Sequence, residues 1–168
     1  ITVAEEYKPM CSVENLESDI DNDIVKIVYI NRYTNGEPQV AFCRGFGLKM
    51  GAFASSVAHD SHNIIAVGCA DEDIVNSVNK IIDHKGGLSV SLQGSTDVLP
   101  LPIGGIMCSS SAEKTADDYE RLNERVQQMG CRLSAPFMTL SFLSLVVIPE
   151  LKIGEMGLFS YSEFNWIG

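Results

Sequence analysis

The sequence predicts an α+β fold, with a mixed, largely antiparallel sheet packed against two or three helices. Three observations support this prediction: short β-branched and aromatic runs alternate with turn residues, two segments carry the periodicity and end signals of helices, and only one long crossover joins successive strands. Antiparallel strands need only short connections, whereas each parallel pair needs a long one. At 168 residues the chain has the length of one ordinary domain.

Four strands are expected in the first half of the chain. Residues 24–33 are β-branched and aromatic, and the turn residues at 34–38 separate them from a second run at 39–44, which predicts a hairpin. Two further runs, 52–58 and 63–69, lie on either side of a segment with two histidines. That segment is therefore predicted to connect two strands.

Capping residues and closing glycines predict the ends of two helices. The first is predicted at 71–84, with Asp71 as its N-cap, acidic residues in its first turn and a Lys-Gly-Gly sequence closing it. The second follows the capping-box spacing of Ser110 and Glu113, has apolar residues at every third and fourth position, and ends at Gly130.

The remaining elements are less sharply marked. Strands are expected near 88–92 and 97–101, between the two helices. The stretch 136–149 is apolar almost throughout, so its periodicity does not separate a buried helix from a buried strand. We interpret it as a short helix after Pro136, followed by extended chain.

Charge and cysteine content exclude several classes of protein. A formal net charge of −10 repels the phosphate backbone, and no cluster of Lys and Arg with interleaved aromatics opposes this, so neither nucleic acid nor an anionic membrane is expected as a partner. Five cysteines, odd in number and without a CxxC pair, indicate a reducing cytoplasm. No signal-peptide pattern is present, and no apolar run approaches the roughly 18 residues of a membrane span.

The N-terminal residues differ in composition from the rest. Acidic side chains gather there with few apolar partners, which predicts a solvated arm or linker at 1–22 and a folded domain at 23–168. The sequence also begins without methionine, as expected for a piece of a longer protein.

The densest group of reactive side chains is His59-Asp60-Ser61-His62-Asn63. Imidazoles serve as metal ligands or proton carriers near neutral pH, and a neighbouring carboxylate can fix their tautomer. The same residue types also build turns, since Asp, Ser and Asn side chains cap the backbone and a histidine can simply pack. The residues alone leave a functional site and a capped turn as equal alternatives.

A metal site at this segment has weak support from the sequence. His59 and His62 would need a third and usually a fourth ligand, and the candidates Asp60, Cys69 and His84 have no recognisable ligand spacing. Metal binding by His59 and His62 is therefore kept only as an alternative.

Two other patterns are interpreted as structural. Ser55 and Ser56 lie near the histidines but lack the glycine elbow of a serine nucleophile. The segment Gly45-Phe46-Gly47-Leu48-Lys49-Met50-Gly51 fits neither the dinucleotide-binding spacing nor the P-loop, and a turn or bulge is expected there.

Five blocks of the sequence carry a likeness to a known family. They are Gly45-Phe46-Gly47-Leu48-Lys49, Ala54-Ser55-Ser56-Val57-Ala58-His59-Asp60-Ser61-His62-Asn63-Ile64-Ile65, Leu99-Pro100-Leu101-Pro102-Ile103-Gly104-Gly105-Ile106-Met107, Pro136-Phe137-Met138-Thr139-Leu140-Ser141-Phe142-Leu143 and Val147-Ile148-Pro149-Glu150-Leu151-Lys152. In this order they closely resemble the C-terminal domain of adenine deaminase, over residues 23–159. A run of twelve matching residues around two histidines is far more specific than a glycine-loop pattern.

The resemblance implies an amidohydrolase-superfamily enzyme that hydrolyses adenine to hypoxanthine and ammonia in purine metabolism. It also implies divalent metal ions, manganese or iron, held in a barrel domain of the same polypeptide, where metal-bound hydroxide attacks C6 of the base. This chain has no His-x-His motif and lacks the about 200 residues or more that an eightfold barrel needs. We therefore expect no catalytic residue and no metal site in this chain alone, and no activity of the isolated chain.

The same resemblance implies a role for the histidine segment. The domain is expected to pack over the barrel mouth, with the segment closing the substrate pocket or orienting adenine through hydrogen bonds. The residues assigned to this role are Ser56, His59, Asp60, Ser61, His62 and Asn63.

Two alternative functions remain open at this point. One is a free-standing small-molecule or metal-binding module that uses His59 and His62. The other is a structural or homo-oligomerising domain, in which the apolar stretch 140–148 supports a subunit interface and the histidines merely pack.

Overall fold

The computed structural model describes residues 17–34 and 36–167, so most of the predicted N-terminal arm lies outside the described residues. Its elements, in chain order, are β1 (Ile24–Ile30), β2 (Gln39–Arg44), β3 (Ala52–Ser55), β4 (Ile64–Gly68), α1 (Asp71–Asp83), β5 (Gly87–Leu92), β6 (Ser95–Pro100), α2 (Ala112–Gln128), α3 (Pro136–Phe142), β7 (Leu151–Gly154), β8 (Gly157–Ser160) and β9 (Asn165–Ile167). None of the helices in this part of the chain is long and apolar enough to cross a membrane.

The main sheet has six strands in the order β2-β1-β4-β3-β5-β6, and every neighbouring pair is antiparallel. A smaller sheet contains β7, β8 and β9. The predicted α+β class is therefore confirmed, as is the hairpin of β1 and β2. The histidine segment connects β3 to β4, two antiparallel partners at the centre of the main sheet.

Helices cover both faces of the main sheet, because successive side chains of a strand point to opposite faces. In β4, Ile65 and Val67 belong to the larger core, which also contains side chains of α2 and α3. Ile64 and Ala66 belong to a smaller core under α1. Strands β3 and β4 are consequently buried along their whole length, which is why they read as continuous apolar runs.

The observed N-caps differ from the predicted ones by one residue. Asp71 is already the first residue of α1, and the N-cap is Ala70, which makes no side-chain cap hydrogen bond. In α2 the N-cap is Ser111, whose hydroxyl accepts a 3.2 Å hydrogen bond from the N–H three residues later, so the predicted Ser110 cap is wrong. Consecutive serines offer the same capping chemistry, and local pattern does not choose among them.

The apolar stretch after Pro136 forms the predicted short helix, α3, but the extended chain expected after it is wrong. Residues 143–150 form turns, and regular strand structure resumes only at Leu151. Backbone hydrogen bonds of 3.2 Å and 3.3 Å, from Leu145 N–H to the Phe142 carbonyl and from Ile148 N–H to the Leu145 carbonyl, hold these turns. Backbone groups that the prediction placed in an extended strand are thus hydrogen-bonded within local turns instead.

Asp23 fixes the glycine turn that follows β2. Its carboxylate accepts hydrogen bonds from the N–H groups of Gly45 and Gly47, at 2.9 Å and 2.8 Å. Both glycines have positive φ, 101° and 74°. The predicted turn is therefore confirmed, and Asp23 already uses the N–H donors that a bound anion would need.

The residues just before β1 contact the main sheet. The Ser18 hydroxyl lies 3.3 Å from the Gly68 carbonyl oxygen, and its oxygen accepts a 3.1 Å hydrogen bond from the Lys26 N–H. The domain boundary placed after residue 22 stays a prediction.

Candidate functional site at the histidine turn

Residues 59–63, here called the histidine turn, lie between the ends of β3 and β4. The His62 N–H donates to the Ala58 carbonyl at 2.6 Å, and His62 has a positive φ of 51°. The turn is also tied to the α3 region, since the His59 N–H donates to the Ser141 carbonyl at 3.2 Å and the Ser144 hydroxyl donates to the His59 carbonyl at 2.9 Å. Both backbone polar groups of His59 are therefore held by a segment far away in sequence.

The structure brings the two imidazoles together. Their ring centroids are 5.7 Å apart, and the His59 ring stacks on Phe142, with centroids 5.1 Å apart and an interplanar angle of 30°. The Nδ1 atoms of both histidines are buried and have no hydrogen-bond partner among the described residues. Buried polar atoms without a partner are uncommon in folded proteins, and such atoms often occur at functional sites.

The pKa of His62 is lowered from its ordinary value. Burial is the largest cause, followed by the positive charges of His59 and Arg32, while Asp60 acts in the opposite direction. Lowering the pKa favours the neutral imidazole, which has one N–H donor and one acceptor nitrogen. The lowered pKa thus favours a form of His62 that can both donate and accept a hydrogen bond.

The Asn63 side chain holds the histidine turn through hydrogen bonds to residues of β1 and the segment after it. It is buried, and its amide nitrogen donates to the Tyr29 hydroxyl at 2.7 Å and to the Ser61 hydroxyl at 3.2 Å. Its amide oxygen accepts a 3.0 Å hydrogen bond from the Arg32 N–H. The Tyr33 hydroxyl donates to the Ser61 carbonyl at 3.0 Å. In the folded chain the Asn63 amide therefore connects the turn to the end of β1.

The other predicted site residues differ in accessibility. Asp60 and Ser61 are exposed at the tip of the turn, whereas Ser56 is fully buried. The Ser56 hydroxyl donates to the Gly105 carbonyl at 2.6 Å and accepts from the Gly87 N–H at 2.8 Å. Ser56 thus joins β3 to β5 and to a neighbouring loop. The assignment of all six residues to a substrate pocket stays a prediction.

Sequence reasoning missed the residues that hold the turn. Tyr29, Arg32 and Tyr33 come from the end of β1, and Phe142 and Ser144 come from the α3 region. The only local signal was the occurrence of polar residues in otherwise apolar stretches, where an unpaired hydroxyl or amide would be costly.

The described residues do not fit a metal centre. Within 17–34 and 36–167 there is no group of three or more His, Cys, Asp or Glu side chains placed to hold a metal ion. His84, considered above as a further ligand, uses its Nδ1 in a 2.8 Å contact with the Lys80 carbonyl on α1.

Fold and site together define an α+β domain that presents two adjacent imidazoles on a rigid turn. A family model described as adenine deaminase C-terminal domain matches residues 1–165. The chain is 46% identical over 167 residues to an adenine deaminase of Methanosarcina barkeri, covering 99% of this chain and 30% of that protein. It is 49% identical over 152 residues to one of Salinibacter ruber, covering 89% of this chain and 28% of that protein.

The chain therefore belongs to the adenine deaminase C-terminal domain family. The match includes the N-terminal residues and most of the C-terminal strands, so the likeness extends beyond the 23–159 recognised in the sequence. The chain spans about 30% of the length of the relatives that it matches.

Proposed function

We propose that this chain acts as one part of an adenine deaminase, which hydrolyses adenine to hypoxanthine and ammonia. The support is the family membership together with the name of the relatives, of which the chain spans only about 30%. The remaining part of such a polypeptide holds the divalent metal ions, manganese or iron, in a barrel domain. The isolated chain is then inactive, and the enzyme works in purine metabolism in the cytoplasm.

The histidine turn is proposed to close the substrate pocket or to orient the purine. The observation that carries this proposal is the pair of imidazoles whose buried Nδ1 atoms have no partner among the described residues, held 5.7 Å apart at the end of two central strands. A purine edge presents both donors and acceptors, which a neutral imidazole can match. Closing the pocket also excludes water from the reaction.

The surface next to the turn is suited to pack against the barrel. Phe142, which stacks on His59, is 37% exposed, and Met138 and Val147 in the same region are 49% and 56% exposed. Large exposed apolar side chains often mark an interface. A barrel packed here would bring its pocket close to the histidine turn.

The test uses the full-length polypeptide, purified with its metal. The triple variant His59→Ala, Asp60→Ala, His62→Ala is expected to lose at least about tenfold in kcat/KM for adenine, corresponding to one or more hydrogen bonds to the bound base. His84→Ala is the matched control, because this third histidine contacts its own helix and not the turn. Normal adenine turnover by the triple variant would show that the pocket-closing role is wrong.

A second function has support from the same apolar side chains. If Met138, Phe142 and Val147 contact a second copy of the chain, the domain is a dimerising unit and the histidines only pack. Sedimentation at several protein concentrations separates the two proposals: a concentration-dependent dimer with normal activity of the triple variant favours the structural role.

Elemental analysis of the purified chain tests the remaining alternative, a metal bound by His59 and His62.

A further inference from the structure

A cavity of about 430 Å³ lies beside the residues that flank the histidine turn, between β1, β4 and the end of α1. Its volume is within the range of about 300–1,000 Å³ that is typical of small-molecule sites. Its apolar lining consists of four isoleucines, Ile30, Ile64, Ile81 and Ile82. Two cationic residues, Arg32 and Lys85, complete the lining on the polar side.

The described residues that line this cavity carry positive charge and no negative charge. None of the described residues that line it is acidic, and neither Arg32 nor Lys85 has a carboxylate within ion-pair distance in the described part of the chain. The Nε atom of Arg32 is buried and has no hydrogen-bond partner among the described residues. In a chain with a formal net charge of −10, two unpaired cations at one cavity are a local exception to the overall charge. Uncompensated positive charge at a cavity favours an anionic ligand.

Contacts with Tyr33, Gly104 and Gly105 hold the Arg32 side chain in place. One Nη atom donates to the Tyr33 hydroxyl at 2.9 Å and also contacts the Gly104 carbonyl. The guanidinium lies directly against Gly105, where a Cβ would come within 2.1 Å of the other Nη. Gly105 is in turn held by the 2.6 Å hydrogen bond from Ser56 to its carbonyl. Arg32 is therefore positioned before any ligand arrives, which reduces the entropy lost on binding.

We propose that this cavity binds a small organic anion, whose carboxylate or phosphate group lies between Arg32 and Lys85 and whose apolar body lies on Ile30 and Ile82, the two isoleucines of the lining that are not buried. One Nη of Arg32 is engaged by the Tyr33 hydroxyl and the Gly104 carbonyl, so the N–H groups of the other Nη are the ones that can bind an oxyanion. The cavity is much larger than the about 30 Å³ of a water molecule, and its apolar lining gives an inorganic ion no partner. This inference rests on the geometry of the cavity and is independent of the proposed role of the histidine turn.

Arg32 also connects the cavity to the histidine turn. Its N–H donates to the Asn63 amide oxygen at 3.0 Å. Its positive charge, after burial and the charge of His59, contributes to the lowered pKa of His62, whereas Asp60 raises it. An anion bound at Arg32 opposes that positive charge, so binding is expected to raise the pKa of His62.

The experiment follows the isoleucine methyl groups of the 168-residue chain by NMR, at low salt, during titration with four probes. Benzoate and phenyl phosphate combine an anionic group with an apolar body, inorganic phosphate has only the charge, and benzyl alcohol has only the apolar body. We expect saturable shifts of Ile30, Ile64, Ile81 and Ile82 with benzoate or phenyl phosphate, and the tighter of the two identifies the anionic group. Equal shifts with benzyl alcohol, equal affinity for inorganic phosphate, or no saturable shift with any probe would overturn the proposal.

Two matched variants test the cations. Lys85→Gln is expected to weaken binding of the preferred probe roughly tenfold, since one charge-assisted contact is lost. Lys80→Gln, in the last turn of α1 and outside the cavity lining, is expected to leave the affinity unchanged. Lys85 is exposed, so an unchanged methyl spectrum of the free variant shows that it folds. Equal affinities of the two variants would overturn the proposal, and binding without a rise in the pKa of His62 would overturn the link to the turn.

Discussion

The Ser144 hydroxyl donates a hydrogen bond of 2.9 Å to the main-chain carbonyl of His59, although 85 positions separate the two residues in sequence. Together with the bond from the His59 N–H to the Ser141 carbonyl, it makes the orientation of the His59 ring depend on the α3 region. Since Phe142 stacks on the same ring, one short segment holds both the backbone and the side chain of His59.

Replacing Ser144 by Ala is expected to lower the free energy of unfolding by about 1–2 kcal/mol, because the His59 carbonyl loses its partner. The His59 ring resonances should shift as well. Chemical denaturation and NMR check the two effects. Ser134→Ala is the control, since Ser134 is exposed; an equal change in both variants would contradict the assigned role of Ser144.

Replacing Asn63 by Leu keeps the number and branching of the side-chain heavy atoms but removes the amide. The Tyr29 hydroxyl and the Arg32 N–H then lose a buried partner, and the expected loss in unfolding free energy is about 2–4 kcal/mol. Asn79→Leu on the exposed surface of α1 is the control and should change stability by less than about 0.5 kcal/mol. Similar urea midpoints for the two variants would show that the Asn63 network contributes little.

Gly86 and Gly94 allow a test of how closely two backbone segments approach each other at Gly86. Both have positive φ, 133° and 77°, but a Cβ on Gly86 would lie 2.3 Å from the Gly105 Cα, whereas one on Gly94 meets nothing within 4 Å. Gly94→Ala is expected to cost about 1–2 kcal/mol from backbone strain alone. Gly86→Ala should cost at least about 2 kcal/mol more, because backbone atoms must move. Thermal unfolding measures the difference, and equal costs would mean that the approach is easily relieved.

The lowered pKa of His62 predicts a stability that depends on pH. Because the unfolded chain binds the His62 proton at higher pH than the folded chain, stability is expected to fall as pH decreases from the ordinary histidine value to the lowered one, and to level off below it. His62→Asn, which suits the positive φ, should show a smaller loss over this pH window. Urea titrations at several pH values check this; an unchanged pH dependence would contradict the prediction.

Asp60 provides a second check on the same group. Its charge raises the pKa of His62 against the other influences, so Asp60→Asn should lower that pKa further. NMR titration of the His62 ring measures the direction, and a rise in the variant would contradict the prediction.

Much of the fold was predictable because its elements carry local signals. The strands near His59 were recognised from their apolar runs, and α2 from apolar residues such as Leu122 and Val126 at helical spacing. The N-caps were each placed one residue away, because neighbouring residues such as Ser110 and Ser111 have the same capping chemistry.

The candidate site was predictable only in part. His59, Asp60 and His62 were singled out because reactive side chains are dense there. The contribution of Arg32 and Phe142 was not predictable, since contacts between residues far apart in sequence leave no periodic pattern. For the same reason, the sequence did not distinguish Asn63 from Asp60. Asn63 is buried and hydrogen-bonded to the Arg32 N–H, whereas Asp60 is exposed at the tip of the turn.

The central position of β3 and β4 in the main sheet limits how the proposed closure can occur. Both strands are buried on both faces and have a hydrogen-bonded neighbour on each edge, and the turn between them is also bonded to the α3 region through both backbone polar groups of His59. If the domain closes over a substrate, we therefore expect it to move as a rigid body. The hinge for that motion then lies outside the main sheet, and opening of the pocket is governed by relative displacement of whole domains instead of by rearrangement of a loop.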